Sequence, residues 1–341
     1  MTDGYPPNDW TRITSLECHA AGEPLRIITG GWPELPGKTI LERRRYQLEH
    51  HDDLRRAVMF EPRGHADMYG CLLTPPVTPG ADRGVIFMHN EGYSTMCGHG
   101  IIALSTALLE TGMLPIAGPE TTLRFDTPAG LVTAKATVEG GRVRGVAFEN
   151  VPSFVLASDR TVDVPGVGPL VVDVAFGGAF YAFCRAADVG VGLRVEDNRE
   201  LIRLGMEIKR AVMRAVPIEH PLEKDLGFLY GTIFVGRAEG PGAHSRNVCI
   251  FAEGEVDRSP TGTGVSARCA IHRARGEIAL GEPLTVESIL GTRFTVKALR
   301  TTTCGRLPAV VPEVHGQAHL TGRCEWWFDP DDPLRDGFVI R

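Results

Sequence analysis

A cysteine in a glycine-rich turn is the first feature of this sequence that could carry out chemistry. Cys97 lies in the string Met-Cys-Gly-His-Gly (96–100), and apolar residues at helical spacing follow from Ile101 to Glu110. The start of a helix carries unpaired N–H groups and a partial positive charge. These lower the pKa of a nearby thiol and can bind a carboxylate. One short segment therefore offers both a base and an anion site, with Gly98 and His99 beside the thiol.

A second turn of the same form occurs about half a chain later. The segment 261–267 repeats the pattern x-G-x-G-[IV]-x-A of the segment 97–103, again ahead of a predicted helix. Gly262 and Thr263 would present N–H groups there, and the carboxylate of Asp257 could hold an ammonium group. Two anion sites and one carboxylate suit an amino acid substrate. If the two turns face each other, chemistry becomes possible on both faces of a Cα. The alternative is a chance similarity of two glycine-rich turns.

Other interpretations of these residues stay open on sequence alone. A buried cysteine is usually a small apolar residue, and His99 taken by itself is best explained as a turn or core histidine. Asp257 could cap a turn or lie in a solvated loop. The segment 262–267 also fits a dinucleotide-binding fingerprint, but weakly, because no strand directly precedes it. No set of His, Cys and carboxylate residues has the spacing of a zinc site, so we predict no metal.

The elements that must position these turns are short strands and a few helices. Periodicity predicts helices over 39–56, 101–110, 194–215 and 265–275, and strands within 13–28, 85–88, 123–151, 248–251 and from 284 onward. This is an α/β (α+β) pattern. We expect a first half at 10–127, completed by 305–341 and carrying Cys97. The second half is expected at 128–304 and carries Asp257 and Thr261.

Composition excludes several classes of function. The chain has 341 residues, 43% of them hydrophobic and 23% charged, with a net charge of −6 and no basic stripe, so nucleic acid is not expected as a partner. The most apolar stretch, 164–183, is interrupted by Pro169, Asp173 and glycines, which argues against a membrane span. The N-terminus lacks the apolar segment of a signal peptide. The eight cysteines form no C-x-x-C pair, which favours reduced thiols in the cytoplasm.

Three strings, in this order along the chain, resemble the proline racemase family. They are EPRGHADMYG (61–70), NEGYSTMCGHG (90–100) and DRSPTGTG (257–264). The resemblance implies a fold like that of diaminopimelate epimerase, with two pseudo-symmetric halves of mixed strands, each around a central helix. It also implies a small imino acid substrate and no metal, pyridoxal phosphate or flavin cofactor. The chain could also form a homodimer.

One residue departs from the pattern of the racemases and 4-hydroxyproline epimerases in that family. Each of their helix starts carries a cysteine, and the second motif reads S-P-C-G-T-G, whereas here it reads S-P-T-G-T-G with Thr261 in place of the cysteine. A threonine hydroxyl is a poor proton donor because its pKa is far above that of a thiol. The Cys/Thr pair resembles the trans-3-hydroxy-L-proline dehydratases of the family. There, loss of the C3 hydroxyl follows Cα deprotonation and leads to Δ1-pyrroline-2-carboxylate.

The resemblance also implies a role for each candidate residue. Cys97 takes the Cα proton, Asp257 holds the ring nitrogen, and Thr261 occupies the second face near the hydroxyl that leaves. The other expected substrate contacts are Gly98, His99, Gly262 and Thr263, the last two through N–H groups to the carboxylate. Two alternatives remain: a 4-hydroxyproline 2-epimerase or proline racemase of the same family, and a non-catalytic binder of proline-like amino acids.

Overall fold

The structure, a computed structural model, describes residues 5–340. Its strands are β1 Thr11–Ala20, β2 Glu23–Gly30, β3 Tyr69–Thr74, β4 Arg83–His89, β5 Gly92–Ser94, β6 Glu120–Thr127, β7 Gly130–Glu139, β8 Arg142–Glu149, β9 Ser153–Val164, β10 Gly168–Phe176, β11 Phe180–Arg185, β12 Leu229–Gly236, β13 Ser245–Phe251, β14 Glu255–Asp257, β15 Leu284–Glu287, β16 Arg293–Cys304, β17 Leu307–Gly316 and β18 Ala318–Phe328. Its α-helices are α1 Ile40–His50, α2 Asp52–Met59, α3 Gly98–Glu110, α4 Asn198–Ala215 and α5 Gly262–Ala274.

The strand pairing runs through the same order twice. In the first series β18, β1 and β2 pair antiparallel, β2 pairs parallel with β3, β3–β4–β5 are antiparallel, β4 pairs parallel with β6, and β6–β7–β8 are antiparallel. The second series, β9 to β17, repeats every one of these relations in the same sequence. Helix α3 follows β5, and α5 follows β14 at the matching place. The two pseudo-symmetric α/β halves predicted from the sequence are confirmed.

The repeat also indicates where the halves divide. We propose a first half made of β1–β8 and β18, and a second half made of β9–β17. The expected boundary between residues 127 and 128 falls at the end of β6, within the first series of pairings. The proposed division therefore lies near residue 150, later than the expected one. The return to the first half begins at β18, beyond the expected residue 305. Antiparallel pairing of β8 with β17 joins the two halves.

Each half wraps its strands around one central helix. Of the 13 residues of α3, 12 are buried, and of the 13 of α5, ten are buried. Both helices are therefore buried on nearly all sides, as the central helices of two cores. Helix α3 packs against β1, β2, β8 and β18, while α5 packs against β9, β10, β16 and β17. The cores thereby fix the position of both helix N-termini.

The peripheral helices differ from prediction at one point. The prediction of a single helix over 39–56 is wrong, because His51, where φ is −139°, interrupts the helix. The side chain of the buried Gln47 donates from Nε2 to the His51 carbonyl at 2.7 Å, and a new helix begins at Asp52. None of the helices within residues 5–340 is both long and apolar enough to cross a membrane.

Candidate active site

The N-termini of α3 and α5 touch each other at two glycines. A Cβ atom on Gly98 would lie 2.5 Å from the Cα of Gly262, and a Cβ on Gly262 would lie 2.5 Å from the Cα of Gly98. Real carbon atoms do not approach so closely, so only glycine permits this contact at either position. The two glycine-rich turns therefore face each other.

A small cavity, of about 20 Å³, lies at this contact. Every site residue proposed from the sequence borders it: Cys97, Gly98, His99, Asp257, Thr261, Gly262 and Thr263. No non-glycine side chain of the lining is more than 6% exposed. The fold thus brings two segments that are distant in sequence into one enclosed space, in which electrostatic interactions are strong.

Cys97 is the N-cap residue of α3. Its Sγ accepts a hydrogen bond from the Gly100 N–H at 3.2 Å and lies 3.2 Å from Nδ1 of His99. Burial raises the pKa of the Cys97 thiol well above its ordinary value, while the Gly100 N–H lowers it by less. The lowered pKa expected from the helix start is therefore wrong for this closed cavity, because loss of solvent outweighs the helix N-terminus.

His99 follows in the first turn of α3. Burial lowers the pKa of its imidazole to about 3, so the ring is neutral. Its edge packs against the ring of Tyr69, with 4.8 Å between centroids. A neutral imidazole has one donor and one acceptor nitrogen. One nitrogen of His99 donates to the Pro24 backbone, so the other can accept a hydrogen bond from the Cys97 thiol and orient it without adding charge to the cavity.

Asp257 is the last residue of β14 and its carboxylate is buried. Its Oδ1 accepts a hydrogen bond from the Ser259 N–H at 2.7 Å. Burial raises the pKa of Asp257 to about 6, and the bonds from Ser259 oppose that rise. The group is ionised at neutral pH but in a poorly solvated place, where a cationic ligand would stabilise it.

Thr261 is the N-cap residue of α5, yet it differs from Cys97. Its φ is +66°, a conformation that carries roughly 1–3 kcal/mol of strain in a residue other than glycine. Its side chain does not cap the helix. Although its hydroxyl lies near enough to Asp257 to favour the ionised carboxylate, no residue within 5–340 completes a hydrogen bond with it. The two helix starts are thus equivalent in fold but unequal in chemistry.

The anion-binding groups lie in the first turn of α5. Gly262 and Thr263 are its first two residues, whose N–H groups have no partner inside the helix. The Thr263 side chain is fixed by a 2.7 Å hydrogen bond between its Oγ1 and the hydroxyl of Tyr181. This arrangement suits a carboxylate, as expected from the sequence.

An aromatic wall that no sequence motif indicated completes the cavity. The further lining residues are Tyr69, Met96, Tyr181, Tyr230, Cys249 and Phe251. Tyr69 lies in the string 61–70, which could have identified it. Tyr181, Tyr230 and Phe251 lie in apolar strands whose sequence gives no sign of which side chain faces a ligand.

A buried carboxylate next to the site connects the two halves. Glu23, at the start of β2, is fully buried, and its Oε2 accepts a hydrogen bond from the Arg258 N–H at 2.6 Å. Burial and the charge of Asp257 raise the pKa of Glu23. Glu23 therefore holds the segment between Asp257 and Thr261 against the first half.

Comparisons with known proteins identify the same family as the three sequence strings. The model of the proline racemase family matches residues 15–339. The chain is 47% identical over 329 residues to the trans-3-hydroxy-L-proline dehydratase of Colwellia psychrerythraea, covering 96% of this chain and 93% of that protein. It is 48% identical over 329 residues to the 3-hydroxyproline 2-epimerase of Burkholderia multivorans, covering 96% and 98%. A crystal structure of a hydroxyproline epimerase from Agrobacterium vitis, with bound trans-4-OH-L-proline, matches with a TM-score of 0.92 and 32% identity, covering 97% of this chain and 96% of that one. The chain therefore belongs to the proline racemase family.

Proposed function

We propose that this protein is a trans-3-hydroxy-L-proline dehydratase that produces Δ1-pyrroline-2-carboxylate. One observation carries the proposal: a thiol, Cys97, lies at one of the two apposed helix starts, and a hydroxyl, Thr261, lies at the other. A relative at 47% identity over most of its length bears this activity as its name.

Substrate binding follows from the charges around the cavity. Asp257 pairs with the protonated ring nitrogen, and the N–H groups of Gly262 and Thr263 receive the carboxylate. The negative charge of Asp257 is among the causes that raise the pKa of Cys97. A substrate ammonium group next to Asp257 offsets that charge, which favours the Cys97 thiolate at the moment when the base is needed.

The reaction then needs only one base at Cα. The Cys97 thiolate takes the Cα proton, and the N–H groups at the start of α5 stabilise the charge that moves onto the carboxylate. Cleavage of the C3–O bond removes this charge and leaves an enamine, which tautomerises to the cyclic imine. No acid has to deliver a proton to the opposite face of Cα, so a threonine suffices at position 261.

A product assay tests this function. The protein is incubated separately with trans-3-hydroxy-L-proline, trans-4-hydroxy-L-proline and L-proline, and the products are identified by mass spectrometry and chiral chromatography. We expect loss of water from the 3-hydroxy isomer alone. Epimerisation without dehydration would favour the epimerase named for the relative at 48% identity. No product and no solvent deuterium at Cα would indicate a non-catalytic binder.

The proposal extends to location and assembly. All eight cysteines are unpaired, which agrees with a reducing cytoplasm. The homodimer stays a prediction, and light scattering of the purified protein tests it.

A further inference from the structure

Two hydroxyl groups of the cavity lining are buried and make no well-formed hydrogen bond with any residue within 5–340. They belong to Thr261 and to Tyr230, which is 6% exposed. Buried hydroxyls are nearly always paired, because an unpaired one loses its water without compensation. In a binding cavity, such a group indicates a polar atom of the ligand. The mechanism above gives Tyr230 no role.

The two hydroxyls lie on different sides of the cavity. Tyr230 belongs to β12 of the second half, but its phenol lies near hydrogen-bonding distance of the hydroxyls of Tyr69 and Ser94 in the first half and interacts electrostatically with Cys97. The hydroxyls of Tyr69 and Ser94 are in direct contact with each other, and Tyr69 favours the ionised form of Cys97. Thr261, by contrast, lies beside Asp257. The phenol of Tyr230 is thus on the thiol's side of the cavity.

The stereochemistry of the substrate decides which hydroxyl the leaving group meets. In trans-3-hydroxy-L-proline the C3 hydroxyl and the carboxylate are on opposite faces of the ring, so the hydroxyl and the Cα hydrogen share one face. A base that takes this hydrogen faces the hydroxyl as well. If Cys97 is that base, the hydroxyl leaves on the side of Cys97 and Tyr230, rather than near Thr261 as expected from the sequence.

We propose that Tyr230 binds the C3 hydroxyl of the substrate and donates a hydrogen bond to that oxygen while the C3–O bond breaks. This inference rests on the proposed dehydratase function. The Cα–H bond breaks toward Cys97 Sγ, and its electron pair forms the double bond between Cα and C3. The C3–O electron pair stays on oxygen, which takes the proton back from the Cys97 thiol and leaves as water. Cys97 is then a thiolate again, and Tyr230 is unchanged.

The surroundings of Tyr230 suit a fixed hydrogen-bond donor. Its ring stacks on Phe251 with 5.3 Å between centroids and meets the edges of His89 and Tyr181, each at 5.8 Å. Packing on three sides holds the phenol in one orientation. Burial raises the pKa of Tyr230 well above its ordinary value, so the group keeps its proton.

The test compares a hydroxylated with a non-hydroxylated ligand in the Tyr230→Phe variant. We expect kcat/KM for dehydration of trans-3-hydroxy-L-proline to fall about 10- to 100-fold, the usual effect of one hydrogen bond to a group that becomes charged. The inhibition constant of L-proline against the same reaction should stay unchanged, because L-proline lacks the C3 hydroxyl. Tyr93→Phe is the matched control. Tyr93 is also a buried tyrosine, and its hydroxyl bonds Gln47 at 3.2 Å outside the cavity lining, so its loss should leave both values unchanged.

Each outcome has a definite meaning. A lower kcat/KM with an unchanged L-proline constant supports the assignment. An unchanged kcat/KM overturns it. A fall in kcat/KM together with equally weakened inhibition by L-proline also overturns it. That result would show that Tyr230 shapes the whole cavity rather than contacting the hydroxyl. Failure of the underlying function would be seen earlier, as absence of dehydration by the wild-type protein.

Discussion

Two opposing effects act on the sulfur atom of Cys97. The helix start and the Gly100 N–H favour the thiolate, while near-complete burial favours the thiol and prevails. A thiolate formed under these conditions is a strong base, because little solvent stabilises it. The same burial therefore keeps Cys97 mostly protonated before a substrate binds. Once a cationic substrate is bound, it makes the thiolate an effective base.

The role of Cys97 is tested by replacing it with serine. A hydroxyl in place of the thiolate should lower kcat by at least about 10²-fold, the lower range for loss of a general base. Cys97→Ser should keep its fold, because serine is a good N-cap residue. Steady-state kinetics and circular dichroism provide the two measurements. Most of the turnover retained in a folded variant would show that Cys97 is not the base.

Asp257 should set the acid limb of the pH profile. Its raised pKa, about 6, means that acid protonates it and removes the charge that holds the ring nitrogen. We expect kcat/KM to fall as the pH drops below about 6. The corresponding fall in kcat should occur at a lower pH, because the bound ammonium favours the ionised carboxylate. In Asp257→Asn this limb should vanish and kcat/KM at pH 8 should fall about 10- to 100-fold. An unchanged limb in the variant would place Asp257 outside the site.

Thr261 is tested by restoring a thiol at the second helix start. Thr261→Cys should gain measurable epimerisation of trans-4-hydroxy-L-proline, since an acid would then face the side of Cα opposite to Cys97. Thr261→Ser, which keeps a hydroxyl, is the control and should gain none. Chiral chromatography of the product mixtures separates the cases. Fast epimerisation by the wild-type protein, without dehydration of the 3-hydroxy isomer, would refute the assigned function.

At the scale of elements, the apposition of α3 and α5 depends on Gly98 and Gly262. Gly98→Ala places a methyl group against the Gly262 backbone and should cost about 1–3 kcal/mol of stability, as overpacking does. It should also separate the helix starts and lower kcat/KM. Gly118→Ala, where no atom lies within 4 Å of the added carbon, should change neither value. Thermal unfolding and kinetics measure both variants. Full stability and activity in Gly98→Ala would contradict the apposition.

The sequence could predict these helix starts because their signals are local. The strings around Cys97 and Thr261 lie just before apolar helical segments, and the two resemble each other. The break between α1 and α2 depends on a hydrogen bond from Gln47 to His51, which periodicity does not register. The aromatic wall was not predictable for another reason. Tyr181 and Tyr230 lie in strands that are buried on both faces, and there an apolar pattern does not separate core from cavity.

At the scale of the whole molecule, the two halves repeat the same strand order but contribute different groups to the site. The first half contributes the thiol, and the second contributes the carboxylate and the start of α5. A side chain from each half crosses to the other: Glu23 bonds the Arg258 N–H, and Tyr230 reaches the cluster around Tyr69. The site therefore exists only when both halves are folded and in contact.

The sealed cavity has a consequence for the rate of the enzyme. Because the lining is so fully covered, we expect an imino acid to enter only when the two halves part, and to react after they rejoin. The chain passes between the proposed halves at residues 150–152 and at residue 317, both next to the paired strands β8 and β17. We expect these paired strands to act as the hinge of that motion. A rigid-body motion of microseconds to milliseconds is then in series with proton transfer and sets a ceiling on turnover that no change in thiol basicity can lift.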